Sequence, residues 1–170
     1  LDNTVAHHKY ALLLITNDHI SEIERKKIYD DAKSHLEKSI KQGFALSYFV
    51  YARLQYEIFN KNDEAFQAAE EGAKRGEKYS KCLFGFFIAH GIGTNKDFNK
   101  GVSIMLESKA ENLYEVFSTD IGIYYSNIKG EESKAFYWFE KAFNMKHTKA
   151  TINNYGLCFM RGFGVLKDID

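Results

Sequence analysis

The residues of this 170-residue chain that could do chemistry are few and scattered. His7 and His8 are adjacent, and neighbouring residues project to different faces of a helix, so they make a poor metal pair. No H-E-x-x-H occurs to place two ligands on one face. Surface positions are expected for these two histidines, and a solvated turn position for His147. Gly91-Ile92-Gly93 and Gly162-Phe163-Gly164 resemble phosphate-cradling loops, but no Gly-Lys-Ser/Thr follows either and neither follows a strand. Their recurrence reads as left-handed turns joining helices. Asp30-Asp31, Glu70-Glu71 and Glu131-Glu132 are carboxylate pairs of a kind that can divide acid and base roles. They lie beside apolar helical periodicity, which makes them solvated faces or turns. Cys82 or Cys158 would need a histidine close in space to act as a nucleophile. His90, in the same helical stretch as Cys82, is two turns away. No catalytic residue, metal ligand or cofactor is expected. A hydrolase or small-ligand binder is the contrary expectation, to be marked by a deep pocket with a perturbed His or Cys.

Composition narrows the classes further. Lys and Arg number 23 against 23 Asp and Glu, so the basic excess that nucleic-acid or polybasic membrane binding requires is missing. Hydrophobic residues make up 45% of the chain, enough to bury a core. Tyr and Phe dominate the aromatics, Trp occurs once and Pro is absent, which suits helices joined by glycine turns. No apolar run reaches the length of a membrane span, and Leu12–Ile15 is too short for a signal-peptide core. Without an N-x-Ser/Thr sequon a cytoplasmic location is favoured; a leader removed before Leu1 would make the chain periplasmic or secreted. Cys82 and Cys158 fall in equivalent helices of different repeats. Free thiols are expected, because stacked helices hold Cα atoms ~8–10 Å apart while a disulfide needs them within ~7 Å.

The elements that would position these residues emerge as columns. A large apolar residue recurs at Tyr10, Tyr51, Phe84, Ile121 and Tyr155. A small residue follows each one, at Ala11, Ala52, Gly85, Gly122 and Gly156. Three positions on come Leu14, Gln55, Ile88, Tyr125 and Phe159. These columns define a helix A whose small residue lets a neighbouring helix approach closely. Small pairs seven apart define a helix B: Ala32 and Ser39, Ala65 and Gly72, Gly101 and Ser108, Ala135 and Ala142. Their period is 33, 36 and 34 residues, the signature of a helical-hairpin solenoid.

The spacing predicts A helices over Thr4–Thr16, Ala45–Phe59, Tyr79–His90, Glu115–Ser126 and Thr148–Arg161. B helices are predicted from a Ser21/Glu24 capping box to Gly43, then over Glu64–Arg75, Asp97–Ala110 and Ser133–Met145. The fold class is all-α, an α/α solenoid of about four and a half hairpins over residues 1–170. The last A helix has no B helix after it, so Tyr155 and Phe159 are expected to be exposed. Continuation beyond Asp170 or packing on another chain, including end-to-end self-association, is expected for the same reason.

The columns resemble Sel-1-like repeats, a branch of the tetratricopeptide superfamily. Lys134, Ala135, Trp138, Lys141 and Ala142 match the family's second helix. Gly156, Gly162, Gly164, Val165 and Asp168 match its first helix and loop, and Gly85, Gly91, Gly93, Asp97 and Lys100 match one unit earlier. The likeness is degenerate before Ala65. Residues 128–133 drop the double-glycine loop, and the paired cysteines of one subgroup are absent. The resemblance implies a right-handed superhelix whose A helices line a concave surface used for protein or peptide binding. It also implies adaptor roles, or the alternative of an immunity protein neutralising a secreted toxin.

Positions three before, one after and five after the small column would face that surface. They are Phe49, Arg53 and Glu57; Cys82, Phe86 and His90; Thr119, Ile123 and Asn127; and Asn153, Leu157 and Arg161. Aromatic anchors beside Arg and amide groups resemble interface hot spots. Phe49 and Phe86 would supply apolar contact, Arg53 and Arg161 would grip carboxylates, and Asn127 and Asn153 would clamp peptide backbone. The expected partner is a protein or peptide, with no nucleic acid and no membrane insertion.

Overall fold

The computed structural model describes residues 4–15, 22–114 and 116–164, with backbone alone for Leu13, Leu14, Ile15, Glu22, Ile23 and Arg25. The predicted Ser21 cap, the Asn17-Asp18 break, the Leu14 side chain, Glu115, Val165 and Asp168 lie outside what is described. All regular elements among the described residues are α-helices: α1 (Thr4–Ile15), α2 (Glu22–Lys41), α3 (Leu46–Glu57), α4 (Asn62–Lys74), α5 (Lys78–His90), α6 (Phe98–Glu107), α7 (Glu111–Tyr114), α8 (Ser118–Ser126), α9 (Glu132–Met145) and α10 (Lys149–Arg161). The chain forms two compact units, Leu1–Ser108 and Lys109–Asp170.

In the first unit each helix packs on the next from α1 to α6, and α3 also packs directly on α5. The A helices α3 and α5 therefore share a layer. The small columns let A and B helices approach closely, as where Gly85 of α5 meets Gly101 of α6 and Gly122 of α8 meets Phe139 of α9. Ala11, Ala32, Ser39, Ala52 and Ala65 are all fully buried. Around Ala11, Ala32, Leu36 and Leu54 one cluster closes α1–α3, with Tyr29, Val50, Tyr51 and Phe59 at its edge. A second closes α3–α5 around Ala52, Ala65, Ala69, Leu83 and Phe87. In the second unit α9 packs on both α8 and α10, through Ala135, Phe139 and Cys158 with Ile123, Phe136 and Tyr155 around them. The large column is less uniform than the small one. Ile121 is fully buried, but Tyr10 is 47% exposed and packs its edge on His35.

The double-glycine loop has a two-part cause. Gly91 ends α5 in the left-handed region at φ 74°, with its N–H donating to the Phe87 carbonyl, a cap any side chain would strain. Gly93 is left-handed too, and a Cβ there would collide with the Asn62 carbonyl and Phe66 at the start of α4. The loop thus closes its own hairpin and seats on the preceding one. Gly162 and Gly164 repeat the arrangement after α10, with Gly164 against Ser133 and Phe136 of α9.

Several boundaries differ from the sequence reading. The fourth A helix, expected over Glu115–Ser126, is split: α7 ends at Tyr114 and α8 starts at Ser118. Phe117 turns inward to 9% exposure between them while Val116 stays 64% exposed, so burial of the ring overrides helical continuity. The helix α6 stops at Glu107 rather than Ala110, because the Ser108 hydroxyl donates to the Met105 carbonyl (2.6 Å) and Lys109 adopts a left-handed φ of 56°. The helix α4 begins two residues early, at Asn62, after Asn60 turns at φ 53°.

Tyr155 and Phe159 are not the exposed residues of α10. They pack on α9, Tyr155 stacked on Phe143 at 4.9 Å and Phe159 edge-on to Phe136 at 5.8 Å. The open face instead carries Ile152 (52% exposed), Gly156 and Met160 (66% exposed).

Candidate binding faces

Phe49, Arg53 and Glu57 succeed one another along α3, and Phe86 and His90 along α5, with α3 and α5 in direct contact. These residues lie on two neighbouring helices of the first unit, in two groups linked through Tyr56. The Phe49 ring lies 5.7 Å from that of Tyr79, and the Arg53 guanidinium sits over Phe49 at 5.8 Å. Arg53 also makes a bidentate pair with Glu57, at 2.8 and 2.9 Å. Further along, Tyr56 meets Phe86 edge-on at 6.4 Å, and Phe86 lies against His90 at 4.6 Å. Arg53 and His90 are exposed, and Phe49 and Phe86 are half-buried. The aromatic rings therefore serve the helix contact with one side and face outward with the other. Cys82, placed on this face by spacing, is fully buried instead; its position packs inward.

In the second unit Ile123 is half-buried in the cluster around Phe139, and Asn127 is exposed with its amide donating to the Ile123 carbonyl (3.0 Å). The Ser126 hydroxyl donates to the same carbonyl (2.8 Å), so two side chains cap the end of α8. On α10, Asn153 and Arg161 are exposed and Leu157 is half-buried. The structure thus brings Phe49, Arg53, Phe86 and His90 together in one unit. Ile123, Asn127, Asn153, Leu157 and Arg161 belong to the other.

The histidines depart most from expectation. His8 is 4% exposed, not a surface residue. Its Nδ1 lies 2.9 Å from Ser47 Oγ, Ser47 donates to Ser39 Oγ (2.8 Å), and Ser39 donates to the Thr4 carbonyl (3.0 Å). Each serine has one proton to give. With both protons committed, Ser47 accepts, and His8 carries its proton on Nδ1. Burial holds the His8 pKa below its ordinary value. His7 turns the other way, and its Nδ1 meets Nδ1 of His35 at 2.6 Å. No sequence column links residues 7 and 35, so periodicity could not have paired them. His147 is exposed as expected, stacked on Phe143 at 4.3 Å.

A second feature missed by sequence reasoning lies between α2 and α4. A cleft of about 330 Å³ there is floored by Tyr48 and Tyr51 and rimmed by Glu37, Glu64 and Glu71. Its carboxylates are already engaged. Tyr51 donates to Glu37 (3.4 Å), Gln55 donates to Glu64, Lys61 pairs with Glu64 (2.7 Å) and Arg75 with Glu71 (2.9 Å). Burial first, then the charges of Glu37 and Glu64, push the Tyr51 phenol up to about 12. The expected carboxylate pairs elsewhere are solvated: Glu70 bridges to Lys74 (3.1 Å) and Glu131 to Lys134 (2.8 Å) along helix faces. Cys82 and Cys158 are free and buried, and burial pushes both thiols up to about 11. Among the described residues no group of three or more His, Cys, Asp or Glu could hold a metal ion, and no helix is long and apolar enough to cross a membrane.

Paired helices repeating with this period and these glycine loops define an α/α repeat fold. The chain superposes on the crystal structure of a Sel1 repeat protein from Oxalobacter formigenes with a TM-score of 0.67, at 21% sequence identity, over 98% of this chain and 68% of that one. The fold is that of a Sel1-like helical repeat, as the column pattern implies. No protein-family model and no curated protein matches the sequence.

Proposed function

We propose that the chain is a protein-interaction module that takes a peptide or a segment of a partner protein on its A helices and performs no chemistry of its own. The observation that carries this reading is the patch on α3 and α5. There, half-buried Phe49 and Phe86 present ring surface beside Arg53, Glu57 and His90. Rigid aromatic rings give contact area at little entropic cost, and the arginine fork gives direction to a carboxylate or carbonyl. In the second unit Asn153, Leu157 and Arg161 on α10, with Ile123 and Asn127 on α8, form the counterpart set. Thiols held at about 11 are poor nucleophiles, which supports a non-catalytic role.

The test is selection of a displayed random-peptide library on the immobilised chain, followed by measurement of the winning peptides against variants. Arg53→Glu, which sets two carboxylates beside each other, and Phe86→Ala are expected to weaken binding at least tenfold with helical content unchanged. Peptides that bind both variants as well as the original would remove the site from α3 and α5.

A further inference from the structure

We propose that His7 and His35 form a two-histidine site for a divalent transition-metal ion of the zinc or nickel class, clipping α1 to α2. The two Nδ1 atoms face each other at 2.6 Å, with ring centroids 4.9 Å apart and planes inclined at 37°. Two imidazole nitrogens meeting in this way share one proton, one ring donating and the other accepting. The same two lone pairs suit a borderline-soft cation. The two Nδ1 atoms now meet end to end. Zn–N bonds of ~2.0–2.1 Å at a tetrahedral angle put the ligand nitrogens ~3.3 Å apart with the metal off the line between them, so the rings must part by about 0.7 Å and each swing by roughly 35°.

The site is held in place from both sides. His8, the next residue, is locked inward through Ser47, Ser39 and the Thr4 carbonyl, which fixes the rotation of α1 and aims His7 at α2. Tyr10, one turn further along α1, sets its ring edge-on to His35 at 4.7 Å. On binding, the proton between the rings moves through water to the Nε2 of the ring that carried it. Both imidazoles then ligate as neutral Nδ1 donors, and no net proton is lost. Water completes the coordination. The site does not depend on the peptide-binding reading, because α1 and α2 carry none of the residues of the α3–α5 patch.

The experiment is a thermal melt of the intact chain with ZnCl₂ or NiCl₂ added stepwise. A saturable rise in melting temperature is expected. It should vanish in His7→Ala and in His35→Ala and persist in the exposed-histidine controls His90→Ala and His147→Ala. Substoichiometric Cu²⁺ added to the unsubstituted chain provides a readout that does not rely on variants folding, with selective NMR broadening expected at the ring signals of His7 and His35. No rise in melting temperature, a rise that survives both substitutions, or broadening centred on His90 or His147 would overturn the assignment.

Discussion

Gly85 of α5 and Gly101 of α6 face each other across their hairpin, so closely that a Cβ built on Gly85 falls 2.6 Å from the Gly101 carbonyl oxygen and 2.8 Å from the Met105 backbone nitrogen. Backbone cannot yield as a flexible side chain can, so this contact sets the spacing of the two helices. Gly156 occupies the same column on α10, and an added Cβ there meets nothing within 4 Å.

The two glycines should therefore respond to alanine with opposite signs. Gly85→Ala is expected to destabilise by about 1–3 kcal/mol, the range for overpacking a tight contact. Gly156→Ala, on an open helix face, should stabilise by about 0.5–1 kcal/mol through reduced chain entropy in the unfolded state. Urea unfolding followed by circular dichroism measures both; equal shifts of the same sign would contradict the packing described here.

Acid should loosen the first unit through His8. Its folded pKa lies below the ordinary 6.5, with burial the cause. The unfolded chain then binds the proton more readily, so this contribution is present above pH 6.5 and is lost as pH falls through the depressed folded value. The urea midpoint should drop between pH 7.5 and more acidic buffer, and His8→Asn should flatten part of that slope. A slope identical in the variant would assign the acid response to other groups.

Two buried serines should separate by their partners. Ser80 Oγ is buried without a hydrogen-bond partner, whereas Ser47 Oγ joins His8 to Ser39. Ser80→Ala is expected to be neutral or mildly stabilising. Ser47→Ala should cost about 1–3 kcal/mol, because it leaves His8 unsatisfied in the interior. Chemical denaturation of the pair distinguishes them.

Thiol chemistry should report folding. With pKa values of about 11, Cys82 and Cys158 hold roughly one thiolate in ten thousand at pH 7, and both are buried. Alkylation by iodoacetamide should be negligible in the folded chain and complete in denaturant, as counted by intact-mass spectrometry. Rapid labelling of Cys158 under native conditions would show that α10 opens from α9.

The repeat was legible in the sequence because close helix packing tolerates only small residues at fixed intervals. Ala11, Ala52, Ala65, Gly85 and Gly101 therefore had to recur in register, and the glycines of the 91–93 and 162–164 loops had to follow. The outward positions of Phe49, Arg53 and Phe86 are tied to the same helical spacing. Tertiary structure alone decided how far each ring was covered, why Phe117 breaks the fourth A helix, and why Tyr155 and Phe159 turn onto α9. It alone also sent His8 inward to a serine and His7 across to His35. Those outcomes depend on which atoms of a neighbouring helix lie within a few ångströms, a quantity that periodicity along one helix does not contain.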